Sequence, residues 1–69
     1  MDQAARVAYI QSQVVCALAE IEAMRAANAA ATLKPGGTGI VYGMDDFRDV
    51  PGRFGIDHNA VIAYLAEGR

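Results

Sequence analysis

The sequence lacks most of the devices that hold very small proteins together. It has one cysteine, Cys16, which excludes an internal disulfide. One histidine and one cysteine cannot close a structural zinc site, which takes four ligands. A 69-residue chain is one domain at most, and a domain of about 60 residues buries only ~60% of its unfolded surface. Much of its 54% apolar content is alanine, which buries little per residue. With disulfide and zinc excluded, a partner subunit is the expected support.

Other absences narrow the function classes. Six Lys and Arg stand against eight Asp and Glu, so the basic footprint of a nucleic-acid binder is missing. No apolar run approaches the ~20 residues that span a membrane. Asp2 and Gln3 open the chain with no basic region ahead of an apolar one, so no signal peptide is expected. An unpaired cysteine fits a reducing compartment, and the cytoplasm is the expected location.

From Asp2 to Ala31 there is neither glycine nor proline, and strong helix formers dominate. This predicts one long helix over residues 2–32, capped by Asp2. Pro35, Gly36 and Gly37 stop it. Val7, Ile10, Val14, Ala17, Leu18, Ile21 and Met24 form an apolar stripe near a 3.5-residue repeat. Asn28 falls at a core-type position of that stripe, where a polar residue fixes register between paired helices. Ala8, Val15, Ala19, Ala26 and Ala30 form a second face, small enough for another helix to approach closely. Arg6, Gln13 and Glu20 mark the wet side. A helix of ~30 residues is roughly 45 Å long, whereas a compact globule of this size is about 30 Å across. The rest of the chain cannot cover both apolar faces of such a rod, so either the helix kinks and folds back on itself or a second copy covers it. With no Gly or Pro inside the run, an antiparallel or bundled homo-oligomer built on the long helix is expected.

Residues 33–43 read as a glycine-rich loop. Its β-prone centre, Ile40-Val41-Tyr42, suits a short strand or an extended clip packing Ile40 and Tyr42 on the rod. Residues 44–69 read as a short helical hairpin. The first helix, from Met44, carries acidic residues in its first turn and ends at Pro51-Gly52. Asp57 caps the second, Ile56 and Val61 form a hydrophobic staple, Val61, Ile62 and Leu65 face inward, and Gly68 is the stop. The fold class is therefore mainly α, a single domain over 1–69, in an oligomeric helical assembly.

Four constellations bear on chemistry. Phe47 to Leu65 mimics a helix-turn-helix, with His58 and Asn59 opening the second helix and Asn a good adenine reader. Pro51, the scarcity of basic residues and the sign of Asp57 count against DNA. Lys34-Pro35-Gly36-Gly37-Thr38-Gly39 has the glycines of an anion nest, but the lysine comes first and no helix follows directly, so it is no nucleotide-triphosphatase loop. Asp45, Asp46, Asp49, Asp57 and His58 match no calcium-loop spacing and are mostly explained as helix caps. Cys16 sits mid-helix among apolar neighbours, where cysteine is usually an inert packing residue rather than a nucleophile for His58. In addition, Tyr9, Gln13, Cys16 and Glu20 share one helix flank. Two such flanks meeting in an oligomer would frame a polar pocket, with Tyr9 stacking on a ring and Arg25 or Lys34 meeting a negative group. The plainer alternative is a solvated flank with Tyr9 half-buried.

Two blocks, Val7-Ala8-Tyr9-Ile10-Gln11-Ser12-Gln13-Val14 and Phe54-Gly55-Ile56-Asp57-His58-Asn59-Ala60-Val61-Ile62, carry a resemblance. The chain resembles small proteins of tailed bacteriophages and prophages. Their pattern often has glycine where this chain has Asp57, and it carries no catalytic signature. The resemblance implies a phage origin and, by analogy, action on the host: inhibition of a defence protein or sequestration of a nucleotide signal.

The expectation is thus a non-catalytic, cofactor-free binding protein in the host cytoplasm, working as a homo-oligomer and taking a small anionic ligand or a host protein. The expected binding residues are Tyr9, Gln13, Arg25, Lys34, Thr38, His58 and Asn59, the polar or aromatic groups not engaged in caps or core. A helix-turn-helix DNA-binding regulator is the alternative, and an assembly protein a third class.

Overall fold

The computed structural model describes residues 2–37 and 39–67. Three helices follow one another: α1 (Gln3–Leu33), α2 (Met44–Arg53) and α3 (His58–Glu67). The chain is mainly helical, with a long N-terminal helix and a C-terminal helical hairpin. Both short helices pack on α1 more than on each other.

α1 forms where expected. The Asp2 carboxylate accepts the Ala5 N–H at 2.7 Å, satisfying one of the donors that a helix start leaves unpaired. At the other end, extended backbone at Lys34 breaks the helical run. Gly36 then adopts a φ of 75°, open to glycine at little cost. At Gly37 a Cβ would run into the Ala31 carbonyl oxygen, so the turn passes tightly over the helix end.

α2 corrects the expected boundary. It runs through Pro51 to Arg53 instead of ending at Pro51-Gly52. A proline removes one N–H and so leaves the carbonyl four residues earlier without its usual partner. Here that carbonyl belongs to Phe47, and the loss falls near the helix end. The Phe54 N–H still reaches the Val50 carbonyl at 3.2 Å, and the Ile56 N–H reaches that of Pro51 at 2.9 Å. At the start, the Asp46 carboxylate accepts the Gly43 N–H at 2.8 Å. α3 begins at His58, with the Val61 N–H bonded to the Asp57 carbonyl at 3.0 Å. The expected stop at Gly68 lies outside the described residues.

The core is very small. Among the described residues, Ala17 and Met24 of α1 and Val50 of α2 are the buried apolar residues, with Ile21, Phe47, Phe54 and Ile56 packed around them. The apolar stripe of α1 is therefore only partly covered. Ile10 and Ile21 are half-buried, while Val7, Val14 and Leu18 face solvent. Successive helical residues are rotated by about 100°, so Leu18 points well away from Ala17. On α3, Val61 and Leu65 are half-buried, but Ile62 is exposed.

No strand forms among the described residues. A strand needs a neighbouring edge to pair with, and the backbone near Ile40-Val41-Tyr42 finds a side chain instead. The Asn28 carboxamide oxygen accepts the Val41 and Tyr42 N–H groups, both at 2.8 Å, and its nitrogen donates to the Tyr42 carbonyl at 3.0 Å. The segment is thus a clip held on the rod by its backbone rather than by the expected packing of Ile40 and Tyr42, which are 73% and 37% exposed. This also gives Asn28 a role within the chain, beyond the register-setting one expected of its position.

The molecule is elongated. Its Cα atoms span 55 × 17 × 10 Å, with a radius of gyration of 15.9 Å, against about 11 Å for a compact domain of this length.

Met24 is 1% exposed and sits at the centre of this core. Met24→Ala is expected to cost about 2–5 kcal/mol, a large share of the roughly 3–10 kcal/mol available to a domain this small. Met44→Ala, at a solvent-facing position, is expected to stay within about 0.5 kcal/mol. Thermal unfolding followed by circular dichroism compares the two.

Candidate functional site

The expected wet side of α1 is its fastening side. Arg6, Gln13 and Glu20 recur every seven residues, and Asn28 follows eight further on, so all four lie on one flank of the helix. Each holds part of the second half of the chain. Arg6 donates to the Tyr64 carbonyl at 2.9 Å, stacks its guanidinium 4.6 Å from the centre of the Tyr64 ring, and meets the Glu67 carboxylate at 3.5 Å. Gln13 donates to the Phe54 carbonyl at 3.1 Å, at the turn between α2 and α3. Glu20 lies 3.9 Å from the Arg53 guanidinium. Asn28 clips the loop.

This arrangement locates the candidate binding residues. Tyr9 is half-exposed and its ring lies 5.5 Å from that of Tyr64, tilted by 58°. Gln13 is committed to Phe54. Arg25 is exposed and pairs with Glu22 at 3.3 Å. Lys34 is exposed at the C-terminal end of α1, and His58 and Asn59 are exposed at the start of α3. Thr38 lies outside the described residues. Tyr9 and Lys34 are 25 residues apart on or next to one helix, roughly 37 Å along its axis. Within the chain, the described ones among these side chains do not converge on a single site.

An open cleft of about 610 Å³ lies beside α2 and the α2–α3 turn. Asp46, Asp49 and Asp57 line it together with Arg48 and Arg53. Three carboxylates against two guanidinium groups make it a poor cradle for an anion. Among the described residues, no group of three or more His, Cys, Asp or Glu side chains is placed to hold a metal ion.

What the structure does present is exposed apolar side chains, on α1, around the α1–α2 loop and at Ile62 of α3. On α1, Val7, Val14, Val15 and Leu18 are 39–66% exposed. At the far end of the rod, Leu33, Ile40, Val41 and Met44 are 55–86% exposed. Exposed apolar residues mean little singly and more where several come from one short stretch of chain, as Ile40, Val41 and Met44 do. The exposure of this segment was not legible in the sequence, where Ile40 and Tyr42 suit a clip packed on the rod; they are 73% and 37% exposed. The flanking glycines were the only signal that the segment turns outward.

No helix among the described residues is long and apolar enough to cross a membrane.

Asn28→Ala removes all three bonds to the loop. An expected loss of about 1–3 kcal/mol follows, with faster hydrogen exchange at the Val41 and Tyr42 amides and little change at those of Ala17 or Met24. Exchange measured residue by residue by NMR tests this. Comparison of the chain with protein-family models, curated proteins and solved structures found no match.

Proposed function

We propose that this chain is a non-catalytic binding protein that works as a homo-oligomer built on α1 and engages a host protein through the loop joining α1 to α2. The observation that carries this reading is the exposure of Ile40 and Val41 on a segment that Asn28 ties to the rod at Val41 and Tyr42, with exposed Leu33 and Met44 at the ends of the flanking helices. Protein interfaces centre on such apolar anchors, with a polar rim around them. Lys34 supplies part of that rim.

A protein target suits these surfaces better than a small anion. The cleft beside α2 carries more carboxylates than guanidinium groups, and Lys34, His58 and Asn59 are not gathered within one chain. A nucleotide site would have to be completed between protomers. The resemblance to small phage proteins supports an anti-defence role in the host cytoplasm, with the defence protein as target.

One observation favours the helix-turn-helix alternative. α2 continues through Pro51, so two ten-residue helices flank a four-residue turn. The carboxylates of Asp46, Asp49 and Asp57 around that turn oppose the phosphate backbone of DNA.

Native mass spectrometry of the protein purified from host cells separates these readings. The expected result is an oligomer without a small-molecule adduct, together with a host protein that is lost for the Ile40→Asp, Val41→Asp variant. The Tyr9→Ala and His58→Ala, Asn59→Ala variants would then retain that protein. An oligomer carrying an extra small mass, released on mild denaturation and lost in the Tyr9 and His58-Asn59 variants, overturns the host-protein reading for a nucleotide-type ligand. A mobility shift on duplex DNA that weakens steeply with salt and disappears with Asn59→Ala assigns the chain to the regulators instead.

A further inference from the structure

We infer that the uncovered face of α1 docks a second copy of this chain, antiparallel, about a two-fold axis that passes through Gln11. The inference rests on the homo-oligomer reading above and specifies its geometry.

The first observation is area. The chain exposes 4973 Å², about 800 Å² more than the roughly 4,200 Å² expected for a compact monomer of its mass. A standard stable interface takes about 800 Å² from each partner. The excess is thus of the size that one interface removes, and the exposed Val7, Val14, Val15 and Leu18 are the part of it that lies on this face of α1.

The second is the symmetry of the face. Gln11 is exposed, and its side chain has no hydrogen-bond partner among the described residues. At 100° per residue, Ala4 and Leu18 lie about 20° to either side of the line through Gln11, Val7 and Val15 about 40°, and Ala8 and Val14 about 60°. Each pair is also equidistant from Gln11 along the axis. A two-fold through Gln11 thus layers Leu18 with Ala4 of the other copy, Val15 with Val7, and Val14 with Ala8. Large side chains meet small or medium ones, so the helices can approach closely. The two Gln11 carboxamides meet on the axis, where a polar pair sets register. The centre of this face lies about 130° round the helix from Ala17 and Met24, so α2 and α3 do not obstruct it.

The third is charge. Glu22 and Arg25 continue the same face and pair with each other within the helix, both exposed. A parallel pair in register would set Glu22 against Glu22 and Arg25 against Arg25, which repel. The antiparallel pair overlaps only over about residues 3–19, leaving both charged residues outside it in water.

Sedimentation velocity and cysteine cross-linking test this. The full chain is expected to sediment as a dimer. In a Cys16→Ser background, Gln11→Cys is expected to form a near-complete disulfide-linked dimer under mild oxidation, because the two positions face each other across the axis within disulfide reach. Arg25→Cys in the same background is expected to stay unlinked. Val15→Asp with Leu18→Asp is expected to weaken the dimer at least about a hundredfold, since charge would be buried in an apolar contact, while the helical circular dichroism of the monomer persists. Linking at Arg25 instead of Gln11 overturns the antiparallel register but leaves the homo-oligomer reading standing. A monomer across the micromolar range overturns both, and leaves only the loop surface as a binding site.

Discussion

Few residues in this protein leave water, so the second half of the chain is positioned as much by hydrogen bonds as by burial. Ala17, Met24 and Val50 are the buried centre. Apolar contact of that size is non-directional and would tolerate several placements of α2 and α3. The row formed by Arg6, Gln13, Glu20 and Asn28 removes that freedom. Each side chain meets a different part of the returning chain: the end of α3, the turn between the helices, the end of α2, and the loop before it. Their order along α1 is the reverse of the order of their partners in sequence. The second half therefore runs antiparallel down the rod, and its direction is set by polar contacts at roughly two-turn intervals.

The same arrangement explains the shape. Twenty residues in two short helices cannot sheathe a 31-residue helix, and they are drawn to one flank of it. The opposite face stays bare. Its exposed side chains are valine, leucine and alanine near the start of α1, giving way to the Glu22–Arg25 pair further along. Pro51 fits the same economy of packing. Near the end of α2 it leaves Val50 in the core and lets the chain turn at Phe54, whose carbonyl Gln13 captures.

The parts of the fold written in backbone propensity were legible in the sequence. α1 and its Asp2 cap follow from an uninterrupted run of helix formers, and residues 44–67 contain the expected two helices. The parts decided by tertiary partners were not. Pattern reading assigns Arg6, Gln13 and Glu20 to water because they are polar, but the sequence does not show that carbonyls at Tyr64 and Phe54 and the Arg53 guanidinium await them. It reads Ile40-Val41-Tyr42 as strand-prone because side-chain preference is local, whereas the outcome depended on a carboxamide 13 residues away. The candidate site divides in the same way. Exposure at Arg25, Lys34, His58 and Asn59 was foreseeable for polar residues at solvent positions. The outward-facing Leu33, Ile40, Val41 and Met44 were not, since apolar residues are expected inside.

Asn28 accepts two successive backbone N–H groups while its own carbonyl accepts the Thr32 hydroxyl at 3.0 Å. The last turns of α1 and the loop are therefore mechanically one piece. Fraying of the helix from its C-terminal end costs little until it reaches Asn28; beyond that point it releases the loop, and the loop's release in turn removes what holds the helix end. Such a segment opens as a single cooperative unit, below the free energy of global unfolding. The apolar side chains it carries are then either presented together or lost together, so the fraction of time this end of the rod is intact sets a ceiling on the fraction of molecules able to grip anything there.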